Sequence, residues 1–172
     1  MSKQPTLRPS DLVVACQLAL TNGAQFAALA SATGISAGEC HNAVRRLRLA
    51  RLVLADQRRP AGDVLRQFLI EGAPFAFPPV LGPDTMGIGT AHSSPVFRGL
   101  VGAAGGFVWP SADGTDRGQS LIPLFSGAAD LARRNIPLYD LITIIDAARV
   151  GTSRIRKIAG DLLAERLVER TP

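Results

Sequence analysis

The chain has few aromatic residues, two cysteines and no long apolar run. Aromatic side chains make up 5% of its 172 residues although 47% are hydrophobic, so we expect a core built mainly from Ala, Leu, Val and Ile. No segment reaches the run of about 18 apolar residues that spans a membrane. The N-terminus also lacks the apolar core of a signal peptide. These absences predict a cytoplasmic protein with no membrane partner and no disulfide framework.

Metal-binding and catalytic patterns are absent as well. Cys16 and Cys40 lie on predicted apolar helix faces, which indicates small buried hydrophobic residues, and a redox switch between them is the alternative. His92 precedes Ser93 and Ser94, but neighbouring residues in a strand point to opposite faces and no nucleophile elbow occurs. We therefore expect no enzyme activity, with no catalytic residue, no cofactor and no metal ligand.

The most informative pattern present is the segment 26–47, which predicts two short helices joined by a turn. Gly34 supplies the sharp turn, because glycine adopts a left-handed backbone at little cost. Ser36 and Glu39 have the spacing of a capping box that starts the second helix. The inward positions of that helix repeat at helical spacing: Cys40, Val44 and Leu47. This arrangement is typical of a DNA-reading helix-turn-helix.

The opposite face of the second helix carries polar and basic side chains. Asn42 and Arg45 are three residues apart, so both can enter one major groove, where Asn pairs with adenine and Arg with guanine. The net charge is +5, and residues 45–66 hold seven arginines against two aspartates, which favours phosphate contact. The alternative is an ordinary solvated face of a helical hairpin. The predicted DNA contacts are Ser36, Ala37, Gly38, His41, Asn42, Arg45, Arg46, Arg48, Arg58 and Arg59.

The rest of the chain predicts helices around an irregular middle. Residues 52–54 have the apolar pattern of a first wing strand and residues 57–62 that of a wing tip. A standard wing needs a second strand, but the spacing over 63–71 predicts a helix. The wing is therefore expected to be stunted or replaced. Residues 73–119 are rich in Gly and Pro, which predicts an irregular, partly β layer with a hairpin turn at 113–114. Further helices are expected at 9–21, 126–134, 137–150 and 153–168.

The predicted fold class is mainly α. A (winged) helix-turn-helix DNA-binding domain, residues 1–72, is followed by residues 73–172, which hold the irregular middle and C-terminal helices. Residues 138–168 are the expected dimer surface, because their apolar stripes exceed what a small domain needs to bury.

Two further patterns have more than one interpretation. A basic cluster near the last helix joint compensates a helix dipole, or else contacts phosphate or an acidic partner: Arg149, Arg154, Arg156 and Lys157. Trp109 predicts a core anchor. A small-molecule sensor is the other option, with a pocket lined by Phe75, Phe77, Phe107 and Trp109.

Residues 1–53 resemble the bacterial winged helix-turn-helix repressors, including the MarR-like group. The matching residues are Leu29, Ala30, Gly34, Ile35, Ser36, Cys40, Val44, Leu47, Leu52 and Val53. The remainder looks like uncharacterised helix-turn-helix proteins that accompany toxin–antitoxin or phage-defence genes. The resemblance implies a homodimeric, self-regulating repressor whose C-terminal part pairs two protomers or meets a partner protein.

These patterns favour a sequence-specific transcriptional regulator that binds double-stranded DNA as a homodimer on a pseudo-palindromic operator. The alternative is an antitoxin or adaptor that holds a protein partner, a toxin or defence protein, through residues 73–172. In that case the helix-turn-helix only autoregulates.

Overall fold

The computed structural model describes residues 5–55, 58–102 and 106–168. These residues are mainly helical with a small three-stranded sheet, which confirms the mainly α class. The helices are α1 Pro9–Thr21, α2 Phe26–Thr33, α3 Ala37–Leu49, α4 Gly62–Gln67, α5 Ala73–Ala76, α6 Ala128–Arg134, α7 Ile136–Val150 and α8 Ser153–Val168. The strands are β1 Leu81–Thr90, β2 Phe107–Pro110 and β3 Asp116–Leu121.

Local capping signals set the ends of the first three helices. α1 ends at Asn22, which takes a left-handed backbone with φ 50°. α2 ends in the same way at Gly34, with φ 77°, where glycine avoids a side-chain clash. Ser36 caps α3 by accepting the Glu39 amide at 3.2 Å. The three helices then bury Leu12, Leu29 and Leu47 in one core.

A short antiparallel ribbon follows α3. Val53 bridges to Pro60, the Leu54 amide donates to the Arg59 carbonyl at 2.9 Å, and the Ala61 amide donates to the Leu52 carbonyl at 2.9 Å. Residue 57 of the expected tip lies outside the described residues. Helical backbone continues from α4 through a π-helical turn, Phe68–Gly72, into α5. The predicted helix at 63–71 is therefore present, and the backbone stays helical at residue 72, where we expected a domain boundary.

The three strands pair in every combination. β1 runs antiparallel to both β2 and β3, whereas β2 and β3 are parallel where Phe107 faces Gln119. The hairpin expected at 113–114 is therefore wrong, although a turn forms there as the Gly114 amide bonds to the Ser111 carbonyl at 3.1 Å. A Cβ on Gly87 would collide with the Trp109 carbonyl oxygen, so only glycine permits this close approach.

Helix α7 occupies the centre of the molecule. All residues from Leu141 to Arg149 are buried, because α7 packs against α1, α8, the π-helical turn and the strand region. The α7 part of the apolar stripe that predicted a dimer surface at 138–168 is thus covered by other elements of the same chain. That reason for a dimer surface does not hold.

A buried ionic cluster attaches α7 to the strands. Asp146 is fully buried and accepts hydrogen bonds from Thr90 Oγ1 at 2.8 Å and Trp109 Nε1 at 2.7 Å. Arg149 Nη1 lies 2.7 Å from the other carboxylate oxygen. Burial raises the pKa of Asp146, whereas Arg149 and the two hydrogen bonds oppose the rise. Removing one partner would leave a buried group unsatisfied, which is strongly destabilising. The cluster therefore holds α7 against the strands.

In the part of the chain that the structure describes, no single helix is both long and apolar enough to cross a membrane. The bent pair of α1 and α2 satisfies the length and composition criteria together, at an angle of 112°.

Candidate nucleic-acid interface

One face of α3 is open to solvent, and it is the face expected to contact DNA. Ala37, Gly38, His41, Asn42 and Arg45 are exposed. On the opposite side Cys40, Ala43, Val44 and Leu47 are buried, as the helical spacing predicted. A Cβ on Gly38 would meet no atom within 4 Å. The start of α3 therefore offers a smooth surface that another molecule can approach closely.

The capping box at the start of α3 is only half formed. Ser36 accepts the Glu39 amide, but the Glu39 carboxylate is used elsewhere. Its Oε1 accepts Arg46 Nη2 at 2.6 Å and Arg8 Nη1 at 3.3 Å. The Arg46 hydrogen bond is the main reason that the pKa of Glu39 lies below its usual value, and Asn42 and Arg8 lower it further. Glu39 thus serves as an ionic anchor rather than as a cap.

Arg46 has partners inside the protein. Its Nε lies 2.8 Å from Asp11 Oδ2 and its Nη2 lies 2.7 Å from Asp11 Oδ1, a bidentate pair. The Asp11 side chain is fully buried and the Arg46 side chain is 13% exposed. These contacts raise the pKa of Arg46 above its ordinary value, with the Asp11 hydrogen bond as the largest cause. Arg46 therefore ties α3 to α1, and we remove it from the set of DNA contacts.

Phe26 links the ribbon to α3. The Arg58 guanidinium carbon lies 5.0 Å from the centre of the Phe26 ring, within cation–π range. His41 approaches the same ring edge-on, with 5.2 Å between ring centres. Arg58 Nη2 also donates to Gln25 Oε1 at 3.3 Å. The ring thereby holds a ribbon arginine close to the exposed face of α3.

The same contacts create a depression of about 310 Å³ between α2, α3 and the ribbon. Its lining is basic around an apolar floor: Phe26, His41, Val44, Arg45, Arg48 and Arg58. Arg48 is half-buried in this lining. Arg59 instead lines a separate cavity together with Asn22, to whose Oδ1 its Nε donates at 2.9 Å. The structure thus brings four of the predicted residues, His41, Arg45, Arg48 and Arg58, to one concave surface.

The basic cluster predicted near the last helix joint does not form one surface. Arg149 is 8% exposed. Besides pairing with Asp146, it donates from Nε to the Phe77 carbonyl at 2.8 Å. Arg154 and Lys157 are exposed on α8, where Lys157 Nζ lies 3.5 Å from Asp161. The interpretation of Arg149 as a phosphate contact is wrong, because its charge is neutralised in the core.

The expected aromatic pocket is also dispersed. Trp109 is fully buried and packs edge-on against Tyr139 with 5.8 Å between ring centres, which confirms it as a core anchor. Phe75, in contrast, is 79% exposed. These residues therefore do not share one pocket lining.

Both cysteines are free and buried. Burial raises the pKa of Cys16 to about 12 and also raises that of Cys40. Because the reactive species is the thiolate, these surroundings favour unreactive thiols over a redox switch.

Sequence reasoning missed two features near the predicted site. The first is the contact of Phe26 with Arg58, which lie 32 positions apart in the sequence. The other is the contact of Asn135, which caps the start of α7, with α1 and α2: its Nδ2 donates to Gln17 Oε1 at 2.9 Å and to the Ala32 carbonyl at 3.1 Å. Both depend on pairs far apart in the sequence, so no local pattern indicates them.

No protein-family model, curated protein or solved structure matches the chain. The resemblance to winged helix-turn-helix repressors therefore remains a prediction.

Proposed function

We propose that the chain is a sequence-specific DNA-binding regulator, with α3 as the recognition helix of a winged helix-turn-helix. The observation that carries the proposal is the open face of α3, where Gly38, His41, Asn42 and Arg45 are exposed beside the basic depression. A major groove admits an α-helix, and Asn and Arg side chains read adenine and guanine there. Gly38 leaves room for the DNA backbone at the helix start.

The ribbon acts as a minimal wing in this proposal. Phe26 holds Arg58 at the depression, and Asn22 holds Arg59 on the same ribbon. Both arginines are proposed to contact phosphates. Phosphate contacts fix the position of a protein on DNA without reading its sequence. Ser36 and Ala37 lie at the N-terminus of α3, where backbone amides also suit a phosphate.

The test is footprinting on the DNA upstream of the chain's own gene, combined with selection from random sequences. We expect a protected pseudo-palindrome. Arg45→Ala should lower affinity for the selected site by about 5- to 150-fold, the value of one bidentate base contact. Arg154→Ala, a matched exposed arginine on α8, should bind as the wild type does. The regulator proposal is wrong if neither DNA source yields a preferred sequence.

Arg58→Ala should behave differently from Arg45→Ala. The loss of one phosphate contact weakens binding to all sequences alike and reduces the slope of log affinity against log salt by about 0.9. A thermal melt of the same variant separates this effect from the loss of the Phe26 contact. If Arg58→Ala changes the preferred sequence instead, its assignment to phosphate is wrong.

The regulator is proposed to act in the cytoplasm as a homodimeric, autoregulatory repressor. Two recognition helices would then enter major grooves about 34–36 Å apart. Light scattering with and without operator DNA tests the dimer. Expression of a reporter from the same promoter, with and without the protein, tests repression.

An antitoxin or adaptor role remains the second candidate, and an exposed apolar surface favours it. Val80, Leu81 and Ile122 are 53%, 45% and 56% exposed, and they lie together because the Ile122 amide bonds to the Val80 carbonyl at 3.0 Å. Purification with neighbouring gene products, compared between the wild type and Ile122→Asp, tests this role.

A further inference from the structure

A second cavity shares no lining residue with the depression beside α3 and belongs to no part of the proposed DNA site. Its volume is about 550 Å³, within the range of about 300–1,000 Å³ common for ligand pockets. It is formed where β1 ends at Thr90 and the chain makes two 3₁₀ turns at residues 91–97. The opposite wall is the beginning of β3.

Strained and hydrogen-bonded backbone shapes this cavity. Ala91 is fully buried and has a φ of 51°, a left-handed conformation that is costly for alanine and that occurs more often at functional sites. It redirects the chain from β1 into the turns. Ser93 Oγ then accepts the Phe107 amide at 2.8 Å, which fixes the first turn to β2.

Two exposed arginines line the cavity. Arg98 and Arg117 are exposed, and neither forms an ion pair or a side-chain hydrogen bond with any residue that the structure describes. Arg46, Arg66, Arg133 and Arg149, in contrast, all pair with carboxylates. The two guanidiniums at the cavity therefore keep their full donor capacity for another molecule.

The same lining contains a buried hydroxyl, that of Ser94. Ser94 is 2% exposed, and its Oγ has no hydrogen-bond partner among the described residues. Buried polar groups are almost always satisfied, so an unsatisfied one needs an explanation. A ligand oxygen in the cavity is one partner that could satisfy this hydroxyl.

The remaining lining decides the kind of ligand. Asp116 is the only carboxylate of the lining, and its Oδ2 already accepts the Gly89 amide at 3.0 Å. Phe97 and Val101 add an apolar wall. We propose that this cavity binds a small organic anion, with its carboxylate or phosphoryl group held by Arg98 and Arg117 and its apolar part against Phe97 and Val101.

The test is an amide NMR titration of the full chain without DNA, so its result does not depend on the regulator proposal. The probes are butyl phosphate, pentanoate and pentanol, which have similar apolar bodies and different head groups. We expect saturable shifts at the amides of residues 91–102 and 116–118 with at least one of the anions. The anion that binds more tightly identifies the head group as phosphoryl or carboxylate.

Variants connect the binding to the proposed residues. Arg98→Ala and Arg117→Ala should each raise the dissociation constant about tenfold, because each removes a charge-assisted hydrogen bond. Arg154→Ala, outside the cavity, should leave it unchanged. The variant spectra also report whether each protein is folded. The proposal is overturned if neither anion saturates, if pentanol binds equally well, or if both cavity variants bind as the wild type does.

Discussion

Arg45 and Arg46 are adjacent on α3, yet we expect opposite consequences when each is replaced by alanine. Arg46→Ala removes the bidentate partner of Asp11, whose side chain is fully buried. Breaking a buried ion pair from one side costs about 3–5 kcal/mol, since the remaining charge stays desolvated. Arg45 is exposed, so Arg45→Ala should change stability by less than about 0.5 kcal/mol.

Thermal and urea unfolding measure this difference. For a chain of this size, 1 kcal/mol shifts Tm by about 2–4 °C, so Arg46→Ala should melt about 6–20 °C below the wild type. A double-mutant cycle with Asp11→Asn isolates the pair, because asparagine keeps an oxygen for the Arg8 amide, which lies 2.9 Å from Asp11 Oδ2. The coupling energy should be about 0.5–3 kcal/mol.

DNA affinity supplies the other half of the comparison. At a temperature where both variants are folded, Arg45→Ala should lose specific affinity and Arg46→Ala should retain most of it. The reasoning is refuted if Arg46→Ala melts within about 2 °C of the wild type, or if it loses DNA binding while its stability is unchanged.

The remaining predictions concern glycines, pH and the division of the chain. Gly38→Ala should raise stability by up to about 1 kcal/mol, since alanine is the better helix former and the site is open, and it should weaken DNA binding by filling the approach; unfolding and gel shift measure the two effects. Gly87→Ala should instead destabilise by more than about 2 kcal/mol, because the added Cβ meets the Trp109 backbone; a wild-type melting curve would contradict this. The pKa of Glu39 is lowered in the folded state. Its ion pair therefore stabilises the fold fully above the unfolded pKa of about 4.3, and this stabilisation is lost as pH falls through the folded pKa. Arg46→Ala should reduce the dependence of the unfolding free energy on pH in that acid range. A fragment that ends after α5 should be unfolded or aggregated by circular dichroism and light scattering, since α1 would lose its contact with α7.

Local signals were sufficient to predict α2, the turn and α3. Gly34 and Ser36 act on their immediate neighbours, and the inward repeat of Cys40, Val44 and Leu47 follows from helical periodicity alone. The helices near residues 137–150 and 153–168 were predicted for the same reason. The signals for these elements lie within the elements or directly beside them, so they can be read from the local sequence.

Strand β1 and the role of Arg46 could not be predicted. The sequence of β1 contains three glycines and a proline, residues that disfavour strands, but the close approach of the three strands requires glycine at Gly87. Arg46 lies beside Arg45 in the sequence. Its partner Asp11 is 35 residues away along the chain, and only folding brings the two side chains together. Long-range pairing determined both outcomes.

The central position of α7 has a consequence for the order in which the chain matures. The helices that form the α3 surface are synthesised about a hundred residues before the end of α7, which at about 5–20 residues per second is a delay of about 5–20 s. During this interval the α7-facing side of α1 has no cover, so the emerging chain exposes apolar surface to chaperones or to other chains. Slowed translation between residues 50 and 136 should therefore lower the yield of folded protein more than slowing after residue 150.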